Sequence, residues 1–338
     1  MLGGLVDHME YSKKIRIYGL RLSVVRFVSK ACVQFYKFTG HHYYSFLKKV
    51  FSAEQNLLTL RLQHLIKPIV NEYQDCVKDS NSEKEYIPRV AWVCWFQGYN
   101  QAPELVQICK QSIEINSGIN DIRLLDFQNI ESFITIPESI KAALDQGNMS
   151  YALFSDYVRV AILAQYGGIW FDATCFCIKP VPKSIFSTQR YSPKDIRPFK
   201  FGGMPSFIFP YLNEWTSYLI GSRKNDLHYC FMQTAFEYYF SKYDVSIDYY
   251  FVFYLAKIAR VNLKSTEDHS EFNVSDNSWI ESLAEWFRGG MKDSFDPQEH
   301  PDTWCYKLSY KSFDKMQGQI LKKWLQDSSA GQFHGGKK

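Results

Sequence analysis

The stretch YALFSDYVRVAILAQYGGIWFDATCFC, residues 151–177, constrains the fold more than any other part of the chain. From Tyr151 to Tyr166 its formal charges are Asp156 and Arg159, set among Leu153, Phe154, Val158, Val160, Ile162 and Leu163. That pattern predicts a helix buried on most sides. Charge in such a helix is rare unless it is paired or used. The three-residue spacing puts Asp156 and Arg159 on one face, about a turn apart, where they pair with each other or both point at a polar ligand. Gly167 and Gly168 end the helix, because glycine takes the left-handed conformation of a C-terminal cap without steric cost. The chain leaves as a short strand, Ile169-Trp170-Phe171, and Asp172 falls where the apolar run stops. Side-chain alternation turns Asp172 and Thr174 the same way. Two oxygen-bearing side chains at a strand end make a partial site for a hard cation, which takes oxygens and keeps waters or phosphates as its other ligands.

The segments on either side alternate strand and helix. Asp79–Glu85, DSNSEKE, is the clearest boundary, lying between a helical Leu57–Val77 segment and an apolar stretch. A domain over residues 86–330 is expected after it, and a helical extension over residues 1–80 before it. Residues 87–96 read as a buried first strand with Gln97-Gly98-Tyr99-Asn100 as the loop at its carboxyl end, where ligands sit in open α/β sheets. Helices are expected at 103–115 and 137–146, and a strand at 122–125. Further on, a strand is expected at 207–209 and helices at 211–220, 228–243 and 247–261. The fold class is therefore α/β.

The order SD-x-x-R, Tyr-Gly-Gly, then aromatic-Asp-x-Thr resembles the DXD-type glycosyltransferases, most closely the capsular polysaccharide synthesis family, which is similar to glycosyltransferase family 32. Ile87-Pro88-Arg89 before a strand ending in Trp95, and Lys307-Leu308-Ser309-Tyr310-Lys311 near the end, fit the same family. The resemblance covers about residues 87–311. It implies a GT-A-like nucleotide-sugar-binding fold, a mixed sheet flanked by helices. It also implies transfer of a sugar from a nucleotide-sugar donor, such as a UDP-sugar, to an oligosaccharide or polysaccharide acceptor of a surface or capsular glycan. A divalent metal, Mn2+ or Mg2+, would sit on the donor diphosphate.

By that resemblance Asp156 and Arg159 bind the donor, Trp95 lies near the base, and Gln97 and Gly98 form the donor loop. Gly167 and Gly168 are grouped with them. Asp172 is the catalytic and metal-associated acid. Thr174 replaces the second acid of the motif, and as a neutral hydroxyl it is a weaker ligand than a carboxylate, acting through water. Asp248, in SIDYYFVFYL, matches an Asp-Tyr-Phe helix of the family and is a candidate acceptor-site acid; a helix N-terminal charge favoured by the dipole is the competing account. Trp95 has a competing account too, as a core residue. His334 is a further metal candidate, against coincidence.

Charge is uneven. Residues 1–50 carry nine Lys/Arg and two Asp/Glu, a local net of +7 within a whole-chain net of +4, so the remainder is −3. No apolar run there approaches the 18 or so residues of a spanning helix, and Arg21 and Arg26 interrupt any signal-peptide core. The basic, aromatic-rich segment suits either an anionic membrane surface or packing on the main domain. Nucleic acid binding is not expected, because no matching motif accompanies the charge. Gly331–Lys337 spells GxxxxGK, yet Lys338 replaces the Ser/Thr a phosphate loop needs. Eight cysteines without a CxxC pair favour a reducing compartment. The expected location is cytoplasmic, with a peripheral position on the inner face of the cell membrane if the basic segment meets lipid. Two rivals to an enzyme are an inactive donor-binding relative, suggested by Thr174, and a membrane-surface scaffold.

Overall fold

The computed structural model describes residues 17–19, 21–34, 38, 44–79, 85–197, 200–201, 204–205, 208–211, 214–263 and 277–329. His334 and most of the polar run at 79–85 lie outside them. Residues 21–34 are helical. Helices α1 (Tyr44–Leu65) and α2 (Lys67–Asp79) follow. An alternating unit comes next: β1 (Val90–Cys94), α3 (Glu104–Asn116), β2 (Asp121–Leu125), α4 (Glu138–Asp145), α5 (Tyr151–Tyr166) and β3 (Gly168–Asp172). The chain continues through β4 (Cys175–Cys177), β5 (Arg190–Tyr191), β6 (Lys200–Phe201), β7 (Met204–Pro205) and β8 (Leu219–Ser222). It ends with α6 (Leu227–Lys242), α7 (Phe251–Asn262), α8 (Ser282–Arg288), β9 (Cys305–Lys307) and α9 (Lys315–Ser329).

The main sheet has the order β2-β1-β3-β8-β5. β1 runs parallel to both β2 and β3, whereas β8 is antiparallel to β3 and to β5. The sheet is thus mixed, with helices on both faces, as expected for the α/β class. Alternation along the strands divides the core: Ala91, Val93, Ile169 and Phe171 pack with Val106 and Ile113 of α3. Trp92, Cys94, Trp170 and Ile220 face the other way, toward α5, α6 and α7. A separate ladder pairs β4 with β9, setting Cys175 opposite Lys307.

Helix α5 has the bounds its sequence predicts. The Ser150 hydroxyl accepts from the Leu153 N–H at 3.2 Å, which caps the first turn. Ten of its residues are buried, Arg159 among them. Gly167 ends it at φ 67°, and Gly168 follows at φ 103°. At Gly168 a Cβ would lie 2.7 Å from the Val90 carbonyl oxygen and 2.9 Å from the Trp92 indole nitrogen. That nitrogen donates to the Gly167 carbonyl at 2.8 Å, so the two glycines let α5 close against β1. Only a residue without a side chain fits there.

Three expectations differ from the structure. Residues 208–211 form a turn, not a strand, and part of the segment expected as a helix at 211–220 becomes β8. β8 is buried throughout, and its ladder with β3 outweighs the local periodicity of TSYLIGS. α7 begins at Phe251, so Asp248 precedes the helix.

The boundary at 79–85 does not separate two cores. Leu58, Leu62, Ile66, Ile69 and Val70 of the extension belong to the same buried cluster as Tyr157, Phe236 and Leu255. Arg26 reaches across to Asp248 at 2.7 Å. No helix among the described residues is long and apolar enough to cross a membrane.

Candidate active site

Because β1 and β3 are parallel neighbours, their carboxyl ends open on the same side. Cys94 and Asp172 pair in register there, and the residues beyond them line a cleft of about 610 Å³. Trp95, Gln97, Asp156, Arg159, Asp172 and Thr174 all contribute to it. So do Ser217, Tyr218, Tyr249, Glu281, Lys307 and Tyr310. The volume lies within the range of small-molecule sites, and the lining combines aromatic walls with a few convergent charges.

Arg159 is the hub. Its side chain is 6% exposed, and its guanidinium meets Asp172 Oδ1 at 3.1 Å and Asp156 Oδ1 at 3.3 Å. It also donates to the Ser217 carbonyl at 2.6 Å and, through Nε, to the Ser155 carbonyl at 3.2 Å. Of the two accounts of Asp156 and Arg159, the structure has the pairing with each other, and both side chains line the cleft. Burial alone would favour the neutral guanidine, but Asp172 and Asp156 outweigh it and hold the cation firmly charged.

Asp172 receives three donors or cations. Trp170 Nε1 donates to Oδ1 at 3.0 Å, Arg159 sits on the same oxygen, and Lys307 Nζ lies 3.4 Å from Oδ2. Burial opposes ionisation, but Arg159, Lys307 and the indole N–H prevail and hold the carboxyl below its ordinary value. Lys307 also donates to the Thr174 hydroxyl, so Asp172 and Thr174 share one ammonium. Asp156 and Glu281 go the opposite way. Burial pushes each up to about 7 against the pull of Arg159 on the first, and of Lys307 and Arg288 on the second.

Other candidates stand elsewhere. Gly98, at φ 81°, shapes the loop after Trp95 but does not line the cleft. Gly167 and Gly168 lie at the amino end of β3, away from Asp172, where they seat α5 on β1. Asp248 accepts from Arg26 and from the Tyr250 N–H at 2.9 Å, and its neighbours Tyr249 and Tyr250, not Asp248, line the cleft. Trp95 is half-buried in the wall, with its ring edge-on to Tyr310 at 5.6 Å. Glu281 and Tyr218 carry no signal in the sequence, and Tyr249 enters only as the neighbour of Asp248 in the Asp-Tyr element. Nothing local marks Glu281, and Lys307 stood out only as part of a terminal element.

The fit of a divalent metal can be tested on the donor set. Both oxygens of Asp172 are engaged, the Thr174 hydroxyl is taken by Lys307, and no group of three His, Cys, Asp or Glu side chains suited to a metal exists among the described residues. A dication on Oδ2 would meet the like charge of the Lys307 ammonium, which already lies 3.4 Å from that oxygen. These residues, as arranged, do not fit a metal site.

The sequence pattern of the capsular polysaccharide synthesis protein family matches residues 42–324. The chain belongs to that family. The match includes α1 and α2, which precede the polar run. A 50-residue stretch is 40% identical to Subversion of eukaryotic traffic protein A of Legionella pneumophila (strain Philadelphia 1), covering 15% of this chain and 8% of that protein. The chain thus spans a small fraction of that relative's length. Among solved structures, PaToxG Glycosyltransferase is similar at 13% identity over 80% of this chain and 95% of that one, with a TM-score of 0.33, a resemblance in outline only.

The raised carboxyls carry a pH dependence with a definite sign. For Glu281 the folded-state value, about 7, lies above the ordinary 4.5, so between these the folded chain keeps a proton that the unfolded chain has lost. Stability therefore falls as pH rises through that window and levels off above it, by roughly 3 kcal/mol for this group. Glu281→Gln should match the wild-type melting temperature near pH 4 and exceed it progressively toward pH 8. A difference that does not vary with pH would contradict this assignment.

Proposed function

We propose that the protein is a glycosyltransferase that uses a nucleoside diphosphate sugar to extend a surface or capsular glycan. The observation that carries this reading is the cluster of Asp172, Arg159 and Lys307 at the carboxyl ends of two parallel strands, inside an aromatic-walled cleft. Two fixed cations suit a diphosphate, and they are held by a half-buried carboxylate instead of being free to move. Aromatic side chains such as Trp95 and Tyr310 offer faces and edges for a base or a sugar ring.

In this reading Arg159 stays fixed on Asp172, Asp156 and the Ser217 carbonyl, and supports the positive end of the cleft. Lys307 faces the diphosphate. Glu281, poised near neutrality, is placed to accept a proton from an incoming hydroxyl. Asp172 acts by positioning both cations. A divalent metal on the diphosphate, the finer expectation from the family resemblance, would have to displace Lys307 from Asp172 before binding.

The N-terminal segment gives a second element of the reading, attachment to an anionic membrane surface. Val24, Phe27 and Val28 share one helical face and are 54%, 70% and 42% exposed, in a region of net positive charge. Such a face inserts at an interface while flanking Arg and Lys meet the headgroups.

Incubation of the full chain with a panel of nucleotide sugars should release nucleoside diphosphate from at least one. Asp172→Asn should fold and lower that turnover by about a hundredfold, as expected when preorganised electrostatics are lost. Absence of both donor binding and turnover across the panel would overturn the glycosyltransferase reading; binding without turnover would identify an inactive relative. For the membrane element, the protein should sediment with phosphatidylserine-containing vesicles at low salt and not with neutral ones. Phe27→Ser should be released at lower salt than wild type. Failure to sediment would remove the membrane from the account.

A further inference from the structure

We propose that the ammonium of Lys307 takes the place of the divalent metal, so that the donor diphosphate is bound and its departing charge balanced by a side chain of this protein. The inference rests on the glycosyltransferase reading and concerns the same cleft.

Three observations lead to it. The first is position. Lys307 Nζ lies between the two side chains of the Asp-x-Thr strand end, donating to the Thr174 hydroxyl and sitting 3.4 Å from Asp172 Oδ2. That is where a cation bridging the two residues would stand. The second is rigidity. Residue 307 is 133 positions from Thr174 in sequence, yet the β4–β9 ladder delivers it, with Cys175 opposite Lys307 and the Leu308 N–H donating to the Thr174 carbonyl at 2.9 Å. The Lys307 N–H donates to the Ile280 carbonyl at 2.8 Å, which fixes the strand on its other side. A cation held on a ladder keeps its place when the cleft is empty.

The third is charge. A dication between two carboxylates sums to zero, and so does a monocation between one carboxylate and a hydroxyl. Thr174 in place of a second acid therefore matches Lys307 in place of a metal. A second carboxylate at position 174 would leave the Lys307 site with a net negative charge, and it would repel an anionic donor. The neutral hydroxyl orients the ammonium without adding charge. The third ammonium hydrogen has a long contact, 3.5 Å to the Leu308 carbonyl, at the outer limit of a hydrogen bond. That contact is the one an incoming phosphate oxygen can replace.

The chemistry balances without a further reactant. The bond between the anomeric carbon and the β-phosphate oxygen breaks, and its electron pair stays on the diphosphate, which gains one negative charge. The acceptor hydroxyl oxygen forms the new bond to that carbon, and its proton passes to the Glu281 carboxylate and from there to solvent. Lys307 opposes the charge that develops on the departing oxygen. No oxidation state changes.

The test is calorimetric titration of the full chain with UDP, GDP, ADP, CDP and dTDP, once in EDTA and once with manganese. The proposal expects the nucleoside diphosphate that binds to do so with a dissociation constant equal within about twofold in the two buffers. Lys307→Met should weaken that diphosphate at least tenfold and leave the corresponding nucleoside within about twofold, a split that general loss of structure would not produce. Lys307→Arg should retain most of the affinity, and it stands in if the Met variant fails to fold. Binding lost in EDTA and restored by manganese would overturn the proposal and leave the glycosyltransferase reading intact. Unchanged diphosphate affinity in Lys307→Met would do the same. If no nucleoside diphosphate binds in either buffer, both readings fall together.

Discussion

A guanidinium buried in a helix must be satisfied where it lies, because an unpaired charge out of water costs several kcal/mol. Arg159 meets that demand by gathering Asp156 from its own helix, Asp172 from the end of β3 and the Ser217 carbonyl from the approach to β8. Three segments separated in sequence are thereby fixed at one point. Asp172 in turn holds Lys307, which arrives from β9 through a second ladder. The cleft is the space left around this cluster. The same contacts shape the cleft and set its charge.

The glycines serve this arrangement from a distance. Gly167 and Gly168 allow α5 to turn directly into β3 under the Trp92 indole, and that tight return sets Arg159 and Asp172 side by side. A longer connection would let α5 slide along the sheet. Their function is geometric, which is why they stand at the opposite end of β3 from the charged cluster they make possible.

Much of this was legible in the sequence where local physics decides the outcome. The bounds of α5, its burial, the glycine stop and the placement of Asp172 at a strand end all follow from periodicity and cap chemistry. β8 was not legible, because its residues fit a helical pattern and become a strand only by pairing with β3. Glu281 was not legible either: it lies in an ordinary amphipathic stretch, and only the folded chain buries it beside Tyr218 and Lys307. Asp248 shows the converse. Its sequence setting suggested an acceptor site, yet Arg26 claims its carboxylate and makes it a tie between the N-terminal segment and the domain. The polar run at 79–85 reads as a boundary by composition, whereas Leu58, Leu62 and Ile66 complete a core that continues past it. Burial across a boundary is a three-dimensional fact that local composition does not encode.

In the proposed mechanism Asp172 organises side-chain cations around the donor instead of ligating a metal. A crystal structure of the protein with a bound nucleoside diphosphate, grown with manganese present, tests this most directly. The account predicts the terminal phosphate within about 3 Å of Lys307 Nζ, with Asp172 still paired to Arg159. A manganese ion bridging Asp172 and the diphosphate, with Lys307 turned away, would contradict it.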